Sequence, residues 1–235
     1  MMRIFVFIIC FTHIALTYAQ TGNAYYKKQL SSSTDSINNP HVKQALKSLK
    51  NREYKLTFKN SEATYDEVKV LDINENPVVE AFVEGISEFS GEVYFNSVDE
   101  SIIIKKEISD GTFLIKKNEI NWTLSKDTLK IDNYTCYKAT STRIINNSEG
   151  THKLEVTAWY APEISLPFGP DGYGGLPGLI LQLNNNGTIT SLKKIEFYNE
   201  KEDVNISFTK KGKEVSEDEF NKMMSKLYKE RKNKY

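Results

Sequence analysis

Cysteine and histidine are scarce in this chain of 235 residues. Cys10 lies in the leader described below, so Cys136 is the one cysteine of the mature part and cannot form an internal disulfide. It is either a small buried hydrophobe or a thiol that pairs with a partner or a metal. The mature histidines, His41 and His152, are far apart and show no ligand spacing with Cys136. The sequence therefore predicts no metal site and no cofactor.

Net charge is absent as well. The chain has 31 basic and 31 acidic residues, and lysine and glutamate are spread along it rather than grouped, except in the C-terminal tail. This balance argues against a protein that binds the phosphate backbone of nucleic acids. Beyond the leader, no apolar run approaches the ~20 residues of a membrane span. We expect no nucleic-acid partner and no transmembrane segment in the mature chain.

Residues 1–19 have the organisation of a secretory signal peptide. Arg3 supplies the positive charge, a mostly apolar run ends at Leu16, and Thr17 and Ala19 place small residues at a cleavage site. The residues before Cys10 do not suit lipid attachment. We therefore expect cleavage near Ala19, no lipid anchor, and a soluble protein in the periplasm or outside the cell.

The mature chain, residues 20–235, is predicted to be a single domain. Its length suits one all-β or α+β domain, and no shift in composition divides it. Residues 20–40 are polar and form either a loose arm or the outer part of a first strand. Residues 229–235 form a basic tail.

Strand patterns occupy most of residues 53–210. Apolar and charged residues alternate from Tyr54 to Phe58, and similar short runs recur between turn signals. Asn186-Gly187 between two such runs is the strongest hairpin signal. Because strands do not alternate with helices, the pattern predicts an antiparallel meander rather than a parallel sheet.

Helical patterns lie towards the two ends. Residues 41–50 place apolar side chains at the spacing of an amphipathic helix. Ser216 and Glu219 have the spacing of a capping box. The apolar stripe that follows, from Phe220 to Tyr228, either packs on the sheet or binds a partner.

Glycine and proline are concentrated in residues 161–178, which contain five of the 12 glycines and four of the 6 prolines. This density excludes a helix and predicts a shaped loop that leads into a buried strand. The aromatic residues around the loop are Trp159, Tyr160, Phe168 and Tyr173. They either line a groove for a ligand or close one end of the sheet as part of the core.

No catalytic motif is recognisable. The glycines at Gly172 and Gly174 lack the third glycine of a dinucleotide fingerprint, and no lysine follows Gly178 as in a phosphate-binding loop. Glu163 and Asp171 are the carboxylates of the loop and act either in acid–base chemistry or as turn caps. We expect a protein that is not an enzyme, with a hydrolase using these acids as the minor alternative.

The loop also carries a sequence signature. Residues 175–180 spell GLPGLI, and residues 134–140 (YTCYKAT) and 158–164 (AWYAPEI) precede it. With these landmarks the chain resembles the GLPGLI family of exported bacterial proteins over roughly residues 53–228. The resemblance implies export and supplies no catalytic residue, because the family has no established activity. The motif residues are Gly175, Leu176, Pro177, Gly178, Leu179 and Ile180.

These patterns together predict an α+β fold. We expect a mostly antiparallel, strongly curved, half-barrel-like sheet with a short N-terminal helix and a C-terminal amphipathic helix. The comparison with half-barrel periplasmic proteins implies a non-enzymatic envelope protein that binds an apolar ligand or a partner protein on the curved sheet. The alternative is a scaffold or accessory protein of an outer-membrane complex, which would engage its partners through edge strands or the basic tail.

Overall fold

In the computed structural model, strands make up 51% and helices 21% of the described residues. It describes residues 20–31, 38–69, 76–87, 89, 91–109, 111–147, 150–199 and 204–232, so the predicted signal peptide lies outside the described residues. The helices are α1 (Pro40–Asn51), α2 (Pro77–Ser87) and α3 (Glu217–Lys232). The strands are β1 (Thr21–Leu30), β2 (Tyr54–Lys59), β3 (Glu62–Glu67), β4 (Glu92–Asn96), β5 (Ser101–Ile108), β6 (Gly111–Lys116), β7 (Thr123–Ile131), β8 (Tyr134–Asn147), β9 (Gly150–Ala161), β10 (Leu179–Asn185), β11 (Thr188–Phe197) and β12 (Lys213–Ser216).

All of these strands belong to one sheet, in the order β12-β6-β5-β4-β3-β2-β1-β11-β10-β9-β8-β7. Neighbouring strands are antiparallel, except that β12 runs parallel to β6. Two meanders, β2 to β6 and β7 to β11, form the halves, and β1 joins them by pairing with both β2 and β11. The loose-arm interpretation of residues 20–40 is therefore wrong over Thr21–Leu30, which is a central strand.

The predicted half-barrel is wrong. The sheet is neither closed nor strongly curled, and β7 and β12 are its two edges. Consecutive buried residues, such as Val93, Tyr94 and Phe95 in β4, show that both faces of the sheet are covered there. A run of hairpin signals predicts the order and direction of the strands but not the curvature of the sheet, since alternation is the same in flat and in coiled strands. The antiparallel part of the prediction is confirmed.

The predicted helix of residues 41–50 is present as α1. Asn39 caps it, because its side-chain oxygen accepts hydrogen bonds from the backbone of His41 and Val42. Buried side chains of α1, Ala45 and Leu49 among them, pack against α2, a helix that was not predicted. The predicted strand at residues 204–210 is irregular, and β12 forms only after it.

The capping box predicted before α3 is present. The backbone N–H of Glu219 donates to Ser216 Oγ at 3.2 Å, and the N–H of Ser216 donates to Glu219 Oε2 at 2.9 Å. Phe220 then packs against Phe113 of β6, with ring centroids 5.6 Å apart. The helix therefore docks at the β6–β12 edge. The predicted basic tail begins inside α3, and residues 233–235 lie outside the described part of the chain.

Candidate functional site

The glycine- and proline-rich stretch is a loop, residues 162–178, that connects β9 to β10. Its last turn is centred on Pro177, where the N–H of Gly178 donates to the carbonyl of Leu176 at 2.8 Å. Gly178 has φ 155°, and a Cβ atom there would lie 2.3 Å from the carbonyl oxygen of Ala161. Gly175 also has a positive φ, 80°. The GLPGLI residues thus fix the entry of the chain into β10.

The aromatic side chains around the loop lie in the core. Phe168 is 1% exposed and packs on Phe95 of β4, with ring centroids 5.7 Å apart. Trp159 packs against the same cluster, while Tyr160 and Tyr173 belong to a second buried cluster. Three motif residues share this burial: Leu176, Leu179 and Ile180. Of the predicted ligand-binding aromatics, Tyr160, Phe168 and Tyr173 thus lie in the core and Trp159 is partly buried against it. Tyr173 alone of the four also borders a groove described below.

A buried ion pair holds the middle of the loop to the sheet. Lys28 Nζ lies 2.7 Å from Asp171 Oδ1, with side chains 0% and 5% exposed. The other carboxylate oxygen accepts a hydrogen bond of 2.8 Å from Thr190 Oγ1, and Lys28 also donates to the carbonyl of Ser87 at 3.1 Å. Burial, with the charge of Asp171 added to it, raises the pKa of the Tyr65 hydroxyl well above its usual value. Through its contacts with Lys28 and Thr190, Asp171 thus attaches the loop to β1 and β11.

Sequence reasoning did not single out Lys28, although a signal was present. Lys28 follows Ala24 and Tyr26 at strand spacing, so the alternation places its ammonium on the buried face. A lysine in the apolar phase of a strand indicates a buried partner of opposite charge. Asp171 is that partner, but its position in a loop 143 residues later gave no sequence signal.

A second lysine holds the next residue of the loop. Lys117 lies just after β6, and its Nζ donates to the carbonyl oxygen of Gly172 at 2.7 Å. The same ammonium lies 3.7 Å from the ring centroid of Tyr173. Burial lowers the pKa of Lys117 to about 8; Glu217 opposes this change and Arg143 adds to it.

The two loop carboxylates do not form an acid–base pair. Glu163 is exposed and accepts a hydrogen bond from the backbone N–H of Thr135, whereas Asp171 is buried in its ion pair. Cys136 is buried, and burial raises the pKa of its thiol to about 11. Among the described residues, no group of three or more His, Cys, Asp or Glu side chains could hold a metal ion.

An open groove of about 1480 Å³ lies between α3 and the β8–β9 hairpin. Its base is formed by residues 117–121 and by Tyr173. Asn118 joins this base to α3, because its N–H donates to Glu217 Oε2 at 3.0 Å and its amide donates to Asp218 Oδ1 at 3.1 Å. The walls carry both signs of charge. The charged residues that line the groove are Lys117, Glu119, Arg143, Lys153, Glu155, Glu217 and Asp218.

A family model described as a protein of unknown function (Porph_ging) matches residues 122–182, about a quarter of the chain. The match runs from β7 through the loop into β10 and thus includes the GLPGLI residues. No curated protein matches the sequence. The resemblance to the GLPGLI family stays a prediction.

Two solved structures of PNGF-II, in space groups P21 and C2, are similar in fold. Both superpose with a TM-score of 0.54 at 14% sequence identity, covering 87% and 88% of this chain. This chain spans about a third of their length, 33% in each case. At this identity the likeness concerns the fold alone. In the described part of this chain, no helix has the length and apolar character needed to cross a membrane.

Proposed function

We propose that this chain is an exported, non-enzymatic protein of the cell envelope, of the GLPGLI family, that binds an extended segment of a partner protein. The groove between α3 and the β8–β9 hairpin is the binding site. The observation that carries this proposal is the open groove with acidic and basic side chains on its walls. A polypeptide segment presents both charges and backbone polar groups, and it can therefore complement such walls along their length.

An apolar ligand fits the molecule less well. The aromatic side chains that would have received it fill the core on both faces of the sheet. The groove that remains open is lined in part by apolar side chains, such as Ile120, Ile144 and Met224, but it also has charged residues on every wall. These charged residues would lose solvation without compensation against an apolar molecule. We therefore assign the proposed partner segment to the charged groove.

The open edge of the sheet at β7 is the other surface at which a partner strand would dock. Leu124 and Leu129 are exposed there. However, the pairing of β7 with β8 is interrupted between Leu124 and Thr128, and Lys126 and Asp127 lie in this irregular part. Bulges and charges on an edge strand discourage further strand pairing. This favours the groove over the edge as the binding surface.

Export and the lack of an enzymatic role rest on separate observations. The leader at residues 1–19 has the pattern of a signal peptide. The loop carboxylates occupy different environments, one exposed and one buried against Lys28, so they offer no shared cleft for acid–base work. Amino-terminal sequencing of the protein purified from its host should begin at Gln20; a chain that still begins at Met1 would contradict export with cleavage.

Peptide display tests the groove. Random peptides are selected on the immobilised mature chain, and their dissociation constants are compared with those for Asn221→Trp, which places an indole in the groove from α3. The matched control is Lys222→Trp, the next exposed residue of the same helix, which does not line the groove. We expect Asn221→Trp to weaken binding at least about tenfold and Lys222→Trp to leave it within about twofold. Equal binding by both variants would exclude the groove.

A further inference from the structure

The connection from β11 to β12, residues 198–212, crosses the sheet. It begins beside β1, where the backbone N–H of Tyr198 donates to the carbonyl oxygen of Thr21 at 2.8 Å. It ends beside β6, where a Cβ atom added at Gly212 would lie 2.9 Å from the carbonyl oxygen of Thr112. The strands β2 to β5 lie between these two points, and the described residues of the connection form neither helix nor strand. Connections of more than about 12 residues without secondary structure are commonly lids or binding loops.

Contacts at both ends hold residues 204–210, the strap, on one face of the sheet. Lys59 of β2 donates a hydrogen bond from Nζ to the carbonyl oxygen of Val204 at 3.0 Å. Phe208 stacks on Tyr94 of β4, with ring centroids 5.2 Å apart and an angle of 23° between the rings. The strap therefore runs across the sheet from β2 to β4.

The backbone of the strap is not part of the sheet. Among the described residues, no backbone–backbone hydrogen bond joins the strap to another segment. Its side chains alternate, with Ile206 and Phe208 half-buried and Ser207 and Thr209 exposed. The alternation that predicted a strand here thus reflects the packing of side chains such as Phe208 on the sheet face. A segment with few backbone hydrogen bonds and few buried side chains opens at a low cost in free energy.

The sheet face that the strap contacts carries polar groups and an aromatic ring. The antiparallel register places Thr57 opposite Thr64 and Thr64 opposite Tyr94, so these side chains share one face with Lys59. The two threonines are 8% and 7% exposed, and Tyr94 is 5% exposed. The strap offers this face a backbone carbonyl and an aromatic side chain. Any extended peptide that contains an aromatic residue offers the same two groups.

We propose that the strap covers a second peptide-binding surface and leaves it when a partner segment binds. The partner is an extended segment with an aromatic side chain four residues after the carbonyl that Lys59 binds, which is the spacing of Val204 and Phe208 in the strap. The aromatic side chain of the partner replaces Phe208 on Tyr94. The strap is then an internal competitor. Because it is tethered beside the surface, its effective concentration is on the order of millimolar, and the affinity for the partner is lowered accordingly.

The first experiment measures a peptide that copies the strap. The probe is the synthetic peptide VNISFTK labelled with fluorescein, and its dissociation constant on the mature chain is measured by fluorescence anisotropy. Phe208→Ala removes the aromatic contact of the strap and leaves the sheet face unchanged. We expect Phe208→Ala to bind the peptide at least about tenfold more tightly than the native chain, because the internal competitor is weakened. The matched control is Thr209→Ala, at the adjacent exposed residue of the strap, which should stay within about twofold of the native value.

Further variants test the surface itself and guard against a failure to fold. Phe208→Ala combined with Tyr94→Leu should lose the gain in affinity, and a peptide with alanine in place of phenylalanine should not show it. Lys210 is exposed and its Nζ lies 4.8 Å from the ring centroid of Tyr94, so Lys210→Ala weakens the strap without disturbing the core. We expect Lys210→Ala to bind the peptide about threefold more tightly than the native chain. Binding that is equally strong, or equally absent, in the native chain, Phe208→Ala and Lys210→Ala would overturn the proposal, as would a gain that survives the loss of Tyr94.

The strap surface and the groove at α3 are tested independently. Asn221→Trp, which places an indole in the groove, should leave the binding of the strap peptide to Phe208→Ala within about twofold. Peptides selected on the groove should likewise bind the native chain and Phe208→Ala with the same affinity within about twofold. A strap peptide whose binding is lost with Asn221→Trp would belong to the groove and would refute a second surface. Either proposal can therefore fail while the other holds.

Discussion

Replacing Asp171 with asparagine isolates the contribution of the buried ion pair. Asp171 has φ 58° and ψ 25°, a left-handed conformation that asparagine tolerates better than most residues. The asparagine keeps an oxygen that can accept the hydrogen bond from Thr190 and removes only the negative charge. Lys28 then stays buried at 0% exposure without its anion. The substitution therefore tests the charge without adding backbone strain.

The expected loss in the free energy of unfolding follows from the burial of both members of the ion pair. Removal of one member of a buried ion pair costs about 3–5 kcal/mol, because the remaining charge is left uncompensated. For a chain of this size, that loss corresponds to a decrease in melting temperature of about 6–20 °C. The free energy of unfolding is obtained from urea titration followed by circular dichroism, with melting curves as a second measure. Lys28→Met should show a similar loss.

The double variant Lys28→Met/Asp171→Asn decides whether the effect belongs to the pair. With both charges absent, the loss should be smaller than the sum of the single losses, by about 0.5–3 kcal/mol. Lys27→Met is the matched control, since Lys27 is the preceding residue of β1 and is only half-buried. The ion pair does not anchor the loop if the free energy of unfolding of Asp171→Asn lies within about 1 kcal/mol of the native value. The same conclusion holds if the losses of the two single variants simply add in the double variant.

Three shorter predictions follow from the loop, the thiol and the helix cap. Gly178→Val should lower the free energy of unfolding by at least about 3 kcal/mol in the same urea titration, because its side chain would meet the backbone of Ala161. Glu163 is exposed, so Glu163→Ala should lower it by under about 1 kcal/mol. Equal losses would contradict the structural role of the motif. Cys136, with its pKa raised to about 11 by burial, should react with a disulfide reagent at pH 8 about 100-fold more slowly in the folded chain than in urea; equal rates would place the thiol at the surface. Ser216→Ala should lower the free energy of unfolding by about 1 kcal/mol through loss of the cap, and an unchanged value would mean that α3 does not depend on it.

Local signals predicted most of the strands and two of the helices. The Asn186-Gly187 turn between β10 and β11 has positive φ at both residues, 50° and 85°, as the hairpin signal requires. The cap at Ser216 and the spacing of residues 41–50 were equally local. α2 was missed although Asn76 caps its first turn, with Val78 N–H donating to the Asn76 side chain at 3.0 Å. That cap and the apolar spacing behind it were present in the sequence.

What could not be predicted depends on contacts between distant parts of the chain. The groove forms where the segment at Asn118 meets α3, about 100 residues later, and nothing in either stretch indicates the other. The parallel pairing of β12 with β6 is equally non-local. The curvature of the sheet could not be predicted either. Alternation along a strand indicates which face is buried but not how neighbouring strands coil. The sequence therefore identified the loop as special, while its role as part of the core required the fold.

The position of β1 has a consequence for how the molecule folds. Each meander pairs strands that are neighbours in sequence, but among the described strands the backbone pairing of the two meanders is joined through β1, whose Gly22 lies opposite Phe197 of β11. Until β1 is seated, each half exposes a strand edge that can pair with another chain. The pairing of β1 with β11 joins residues that are far apart in the sequence, and such long-range pairing is slow compared with hairpin formation. The insertion of β1 is thus the expected rate-limiting step, and the first of the described strands completes the sheet last.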